Sequence, residues 1–346
     1  MSQVATSTVA PADQVRALLD HRYRSSHRYI VGREKIREYA RAVQDRHPAH
    51  WHESAAAALG YPGLIAPATF ASIILLRVHR EILDTVLTGY DPARILHADQ
   101  VIDIGRPLIA GDELTCDIYF ESFRHFADYD VMAIKSVLTD AEGQVVQTGS
   151  TALLARTGEA ERLSEAVRRV AMTDSRSTTV PGTITEAGPE VVTAISPPHI
   201  PCTAIDPAAL RVGTVLPTRV LRLSRGDLVN YAGVTGDTNP VLFDERTAIE
   251  CGLPTVVAPG MLKLGLAAGY LSSWLGDPAA VTRLRAQFAH NTHYLRVPAL
   301  AASPIEFSGR ITSLDPSGRR GTIAIDARSH GRKLFGYAAA EVRFTE

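Results

Sequence analysis

At 346 residues the chain is too long for one small core and suits two domains of ordinary size. Lys plus Arg (36) nearly balances Asp plus Glu (37), giving a formal net charge of −1. That balance leaves no basic field for nucleic acid and no polybasic arm for an anionic membrane. Cys116, Cys202 and Cys251 are far apart and odd in number, which argues against a disulfide framework or thiolate zinc site and suits a reducing cytoplasm.

The first residues, "MSQVATSTVAPADQ", lack the basic start and apolar stretch of a signal peptide. The segment "REKIREYARAV" has the periodicity of an amphipathic helix and is followed by the polar turn "QDRHPAHWHE". A Gly-Pro loop leads into "LIAPATFASIILL", an apolar run of helix length that ends at Arg77 and is too short to span a bilayer. We therefore expect a cytoplasmic protein. Four β-type segments come next: "RILHADQVIDIGRPL", "DELTCDIYFESFRH", "YDVMAIKSVLTD" and "QVVQTGSTALLAR".

Residues 158–205 differ in character, with a Thr-, Ser-, Pro- and Gly-rich stretch that reads as an extended connector. After it the same order of elements returns. "SRGDLVNYAGVT" is helical, a polar turn follows, and "VAPGMLKLGLAAGYLSSW" supplies a small-residue apolar helix. The strands "VTRLRAQFAHNTHYL", "SPIEFSGRITSL", "GTIAIDARSH" and "KLFGYAAAEVRFT" close the chain, with "DAEG" and "DPSG" at hairpin positions in the two halves. A long helix followed by an antiparallel meander, twice over, predicts an α+β fold with a sheet wrapped around a helix in each half. The expected division is a unit at 1–157, a connector at 158–205 and a unit at 206–346, the two units packing as a pseudo-dimer.

The halves overlay without a gap at a shift of 192 positions (237 − 45). Tyr39 falls on Tyr231, Asp45 on Asp237, Pro48 on Pro240, Glu53 on Glu245, Gly60 on Gly252 and Pro62 on Pro254. The chain is a duplication. In this register His47 faces Asn239, His50 faces Leu242 and His52 faces Asp244, so the three histidines beside Asp45 are not a repeated ligand set. No metal site is expected.

The segment "YAGVTGDTNPVLFDERTA" resembles the signature of the MaoC-like (R)-specific enoyl hydratases and (3R)-hydroxyacyl dehydratases of the hot-dog fold. That signature runs Gly-Asp-x-Asn-Pro-x-His, with its Asp and His as the catalytic pair. The C-terminal half resembles the B subunit of the mycolic-acid pathway (3R)-hydroxyacyl-ACP dehydratase. The N-terminal half, through "VGREKIREYA", "ALGYPGLIAPATF" and "IAGDELTCDIYFESF", resembles its A subunit. The resemblance implies a double hot-dog, a hydro-lyase activity and no cofactor. In the C-terminal half Gly236, Asp237, Asn239 and Pro240 match, but Leu242 stands at the histidine position. In the N-terminal half Asp45, Pro48 and His50 keep the spacing, while Gln44 and His47 replace the motif glycine and asparagine.

Elimination of water from a 3-hydroxyacyl thioester needs a base for the C2 proton and a group that serves the departing hydroxyl. Imidazole, with an ordinary pKa near ~6.5, suits the first task, and a carboxylate the second or the orientation of the imidazole. The expected catalytic pair is His50, acting on C2, and Asp45, acting on the hydroxyl. Enolate charge on the thioester oxygen calls for backbone N–H donors, available at helix starts near Pro67 and Pro259. The candidates are Ala68 and Thr69 for the His50 site, with Gly260 and Met261 as their second-half counterparts. Asp237 and Asn239, in a half without the histidine, are expected pocket residues that hold their turn. His47 and His52 are expected at the surface or pocket rim, Trp274 in packing, and Cys116 and Cys251 in or near the core. The small residues of Leu264–Ser273 are expected to leave room for an apolar acyl tunnel.

The expected substrate is acyl-ACP, with acyl-CoA as the runner-up carrier, in fatty acid or reducing polyketide synthesis. No nucleic acid or membrane partner is expected, and further pairing into a homo-oligomer is open. Two other activities compete: a non-catalytic acyl-thioester-binding partner of another dehydratase, and a hot-dog thioesterase.

Overall fold

Alternation along the chain sets which strand face is buried, and one continuous antiparallel sheet results. The computed structural model describes residues 10–19, 21–25, 27–85, 87, 90, 95–157, 184–187, 200–288 and 294–345. In the first half, helix α1 (Pro11–Ala17) and strands β1 (Arg22–Ser25) and β2 (Tyr29–Ile30) precede α2 (Arg33–Ala42). A 3₁₀ turn (Pro48–His50), α3 (Glu53–Ala58) and the apolar helix α4 (Ser72–Thr85) follow. The meander is β3 (Ile95–Ile104), β4 (Glu113–His125), β5 (Tyr129–Thr139) and β6 (Val145–Arg156). β5 shows the expected period of two, its buried residues alternating with half-buried ones over most of its length.

After β7 (Ile184–Ala187) the order repeats. β8 (Val215–Leu223), α5 (Arg225–Thr235), a 3₁₀ turn (Pro240–Leu242) and α6 (Glu245–Glu250) lead to the apolar helix α7 (Gly260–Leu275). A 3₁₀ turn (Pro278–Ala280) then opens into β9 (Val281–Gln287), β10 (Ser303–Leu314), β11 (Arg320–Ser329), β12 (Arg332–Lys333) and β13 (Tyr337–Arg343).

The sheet order is β7-β1-β4-β5-β6-β3-β9-β13-β11-β10-β8. Read outward from its centre, the two halves carry matching strands in matching order. The seam is the β3–β9 ladder, from Asp99 opposite Gln287 to Asp103 opposite Arg283. There Arg283 Nε lies 3.2 Å from Asp103 Oδ1. This is the α+β double hot-dog that the repeated pattern predicts. α7 is buried around nearly its whole girth, from Leu262 to Ser272, as a helix inside a wrapped sheet must be.

The eight strand segments expected from alternation are all present. Strands β1, β2, β7 and β8 were not expected. β8 carries Pro217 and exposes Val215 and Val220, as a strand at the edge of the sheet among the described residues can. β7 falls inside the connector and pairs with β1. The rest of 158–199 lies outside the described residues. The connector's last residues are tied to the second half, Ala204 N–H donating to Leu275 O at 2.8 Å.

The start of α4 corrects the expectation of a helix beginning near Pro67. The helix begins at Ser72, and residues 68–71 form turns in which Phe70 N–H reaches Pro67 O and Ser72 N–H reaches Thr69 O. α7 does start where expected, with Pro259 as its N-cap. In the first half these tight i-to-i+3 bonds hold the chain one turn longer before the regular pattern sets in at Leu75 N–H to Ala71 O.

Candidate active site

The turn after α2 is built twice with the same bonds. Asp45 N–H donates to Ala40 O at 2.8 Å, and Asp237 N–H to Ala232 O at 3.0 Å. Each carboxylate accepts the N–H two residues on: His47 to Asp45 Oδ1 at 3.1 Å, Asn239 to Asp237 Oδ1 at 3.1 Å. Position 47 or 239 then caps the 3₁₀ turn, His47 Nδ1 accepting Ala49 N–H and Asn239 Oδ1 accepting Val241 N–H. This is why the turn tolerates a histidine where the motif has asparagine: both side chains offer an acceptor at the same reach.

The motif glycine has a similar explanation. Gly236 ends α5 at φ 73°, and Gln44 occupies the equivalent place at φ 52°. A side chain there is strained by about 1 kcal/mol. The Gln44 carboxamide offsets part of that cost by donating to Arg222 O at 2.8 Å, a link from the first half to β8.

His50 and Asp45 meet inside the protein. His50 Nε2 is 3.2 Å from Asp45 Oδ2, and the residues are 0 % and 2 % exposed. The other ring nitrogen, Nδ1, is 2.6 Å from Ile65 O. A carbonyl only accepts, so Nδ1 carries the hydrogen and Nε2 is the atom left to exchange a proton. Among the described residues, neither Nε2 nor Asp45 Oδ2 makes a hydrogen bond. Burial pushes the Asp45 carboxyl up, but the facing His50 and the N–H of His47 outweigh it and hold the group below its usual range. In the mirror turn, burial raises the Asp237 carboxyl, with Asn239 N–H and Arg80 offsetting only part. Leu242, 5 % exposed, gives that carboxylate nothing to pair with.

The floor under Asp45 comes from the other half. A β-carbon added at Gly269 of α7 would stand 3.2 Å from Asp45 Cβ, and one at Gly265 would stand 2.6 Å from Val43 Cγ1. These glycines therefore seat the Val43–Asp45 turn against α7. The expected acyl tunnel along Leu264–Ser273 is corrected: the space above Gly265 and Gly269 is filled by Val43, Thr69 and Asp45.

His47 is likewise corrected from a rim residue to a tie between halves. It is partly buried, and its Nε2–H donates to Gly276 O, the C-cap of α7, at 2.9 Å. Burial is the main force pushing its pKa down, so the neutral ring that makes both bonds is the favoured form. His52 is exposed, as expected.

Thr69 is fully buried, and Tyr39 Oη lies 2.9 Å from its carbonyl and 3.0 Å from its hydroxyl. Tyr39 thus pins the turn that leads into α4, a role its match with Tyr231 did not reveal. Among the described residues, neither Ala68 N–H nor Thr69 N–H meets a backbone carbonyl, as oxyanion donors require. The turn is joined to the His50 site through Ile65, next to Ala66. Gly260, by contrast, faces Phe288: a β-carbon there would stand 2.8 Å from the ring. Gly260, Asp237 and Asn239 therefore belong to the mirror position, away from His50. Trp274 packs edge-on to Phe344 and Cys116 is fully buried, while Cys251 is half-buried.

Comparison with known proteins matches a family model in each half of the chain. Residues 17–149 match the FAS1-like dehydratase domain region, and residues 209–292 match the MaoC-like domain. The first half is 39 % identical over 154 residues to the UPF0336 protein Rv0504c of Mycobacterium tuberculosis, covering 44 % of this chain and 93 % of that protein. A Streptomyces coelicolor UPF0336 protein is 38 % identical over 144 residues, covering 42 % and 96 %. A Mycobacterium tuberculosis protein described as a double hot-dog shares the fold, with a TM-score of 0.62, 14 % identity and coverage of 95 % and 98 %. A solved MaoC-like dehydratase is 40 % identical, with a TM-score of 0.84, over 96 % of this chain and 100 % of that one. By that whole-length likeness, and with two wrapped helices under one sheet, this chain belongs to the MaoC-like dehydratases.

Proposed function

We propose that the protein is a (3R)-hydroxyacyl thioester dehydratase, reversible as an enoyl hydratase, with one acid/base site in its first half. In this account residues 1–157 and 206–346 are the two units and 158–205 their connector. The observation that carries it is the buried pair His50 Nε2 and Asp45 Oδ2, 3.2 Å apart and, among the described residues, otherwise without partners. Leaving two such atoms unsatisfied costs about 1–3 kcal/mol each, a cost that a bound substrate hydroxyl would remove.

In the dehydration direction His50 Nε2 takes the C2 proton while Ala68 and Thr69 N–H groups meet the thioester oxygen. A carboxyl held below its usual range stays ionised and has no proton to give. Asp45 therefore accepts the hydrogen bond of the C3 hydroxyl and steadies the imidazolium. His50 returns its proton to the departing oxygen, so the C3–O bond breaks with release of water. One imidazole acting on one face accounts for both proton transfers, each such role contributing about 10²–10⁴-fold.

The test is hydration of crotonyl thioesters, on carrier protein and on coenzyme A, followed by loss of enoyl absorbance. His50→Leu and Asp45→Asn are the variants; Leu242 shows that the turn folds with leucine at that place. Turnover that falls at least ~10²-fold in both supports the enzyme. Tight binding without turnover in the wild type would make it a thioester-binding partner, and release of free thiol a thioesterase.

A further inference from the structure

Tyr39 and Tyr231 hold the same place in the duplication, yet both hydroxyls serve the first half. At the shift of 192, Thr69 and Ser72 fall on Met261 and Leu264, which offer Tyr231 no hydroxyl. Tyr231 instead faces its counterpart: the ring centres lie 6.4 Å apart, and its hydroxyl has those of Ser72 and Tyr39 as hydrogen-bond partners. All four side chains are buried. The helix starts differ in step with the hydroxyls. Where methionine and leucine stand, α7 begins directly after Pro259; where threonine and serine stand, the chain turns until Ser72. A buried cluster of hydroxyls costs more than apolar packing unless each is paired, and it then fixes one arrangement.

What is fixed here is Thr69. Tyr39 O–H donates toward both of its oxygens, the carbonyl at 2.9 Å and Oγ1 at 3.0 Å, and Ser72 Oγ lies 3.0 Å from the same phenol oxygen. Ser72 N–H also donates to the Thr69 carbonyl at 3.0 Å. α7 backs the side chain: a β-carbon at Gly265 would stand 3.2 Å from Thr69 Oγ1. The carbonyl and the side chain of Thr69 are thus anchored to one oxygen, and the chirality of its Cα then sets where the backbone nitrogen stands. On the other side Phe70 N–H to Pro67 O, 2.8 Å, closes the turn and limits the one torsion left. Thr69 N–H itself meets no backbone carbonyl among the described residues.

We propose that Tyr39 is a positioning residue whose hydroxyl aims Thr69 N–H at the thioester oxygen without touching substrate itself. This rests on the proposed function for the identity of the ligand as a thioester. Donors aimed in advance are what make an oxyanion site effective. Losing one costs about 10²–10³-fold in kcat, and loosening its aim costs less.

The experiment uses Tyr39→Phe in the full chain, which keeps the ring against Phe70, 5.5 Å away between centres, and removes only the hydroxyl. Hydration of crotonyl-coenzyme A should show kcat lowered about 10-fold, KM within about twofold and the pH profile of kcat unmoved. The second readout is the absorbance of 2,4-hexadienoyl-coenzyme A, whose band moves to the red when donors polarise its carbonyl. It is bound in a His50→Leu background, so that no water adds. The band should shift on binding with Tyr39 in place and lose most of that shift in Tyr39→Phe. A fall in kcat with the shift intact would overturn the assignment, because loss of fold support alone leaves the carbonyl as polarised as before. Thr69→Val and Thr69→Ser carry the same test should Tyr39→Phe not fold: valine should lose the shift and serine keep it, and equal behaviour of the two would count against Tyr39. Wild type without hydration but with a Tyr39-dependent shift would sink the dehydratase and keep Tyr39. Hydration that Tyr39→Phe leaves intact, or no shift with Tyr39 in place, would sink Tyr39 alone.

Discussion

Gly269 of α7 lies against Asp45: a β-carbon there would stand 3.2 Å from the β-carbon of the aspartate. A helix from the second half thus sets the position of the carboxylate in the first half. Gly269→Ala should displace Asp45 by a few tenths of an ångström. If Asp45 acts as proposed, kcat falls about 3- to 10-fold with little change in KM, because misplacement of that carboxylate acts on the chemical step. Stability should move by less than about 1 kcal/mol, since alanine's helix propensity offsets the crowding. Gly233→Ala, at an exposed position of α5 with nothing within 4 Å, is the control and should stabilise by about 0.5–1 kcal/mol with unchanged kcat. Steady-state kinetics and urea unfolding of both variants decide it.

His47 both caps its turn and ties it to Gly276, so its two bonds can be removed one at a time. His47→Asn keeps the cap in the manner of Asn239 and loses the tie to the carbonyl of Gly276. Urea unfolding should show a loss of about 1 kcal/mol for His47→Asn and about 2 kcal/mol for His47→Ala. Equal losses would mean that the cap contributes nothing, and an unchanged His47→Asn would mean that the tie contributes nothing.

Acid should destabilise the protein well above the carboxylate range. Burial depresses His79 and His97 to about 4 from an ordinary 6.5, and each charge would disfavour the other, with Lys263 acting against His97. Between pH 6.5 and about 4 the unfolded chain binds these protons and the folded one does not. Stability from both groups is therefore present above pH 6.5 and is lost as pH falls through that window. Urea unfolding at pH 7, 6, 5 and 4.5 should show the decline, and His97→Gln should flatten it. A pH-independent midpoint down to pH 5 would contradict the account.

Lys263 carries the opposite weight at neutral pH. It is 3 % exposed inside the fold, with Nζ donating to Leu334 O and lying 5.7 Å from the Phe288 ring centre and 5.8 Å from that of Phe335. Burial lowers its pKa to about 8 from 10.5. The folded state thus loses stability as pH drops from 10.5 through 8, and at pH 7 the full cost applies. Lys263→Met should raise stability by about 1–2 kcal/mol at pH 7, after the lost hydrogen bond and ring contacts are counted. The gain should shrink by pH 9.5, as thermal unfolding at the two pH values would show.

The sequence by itself determined the local elements and the duplication, because both are written in short-range patterns. Alternation marks the meander strands, apolar runs mark the two central helices, and the shift of 192 places Asp45 over Asp237. The Asp45–Pro48–His50 spacing also picked out the two side chains that meet, since one turn of fixed geometry holds both. Edge strand β8 escaped notice because its outward residues include Val215 and Val220 as well as Pro217. Only tertiary structure decided what lies around that turn. Gly265 and Gly269 looked like open space, and the packed fold fills them with Val43 and Asp45; His47 looked exposed and reaches Gly276, 229 positions on. Which atoms approach across the pseudo-dimer depends on how two wrapped sheets dock along β3 and β9, and no periodicity within either half encodes that approach.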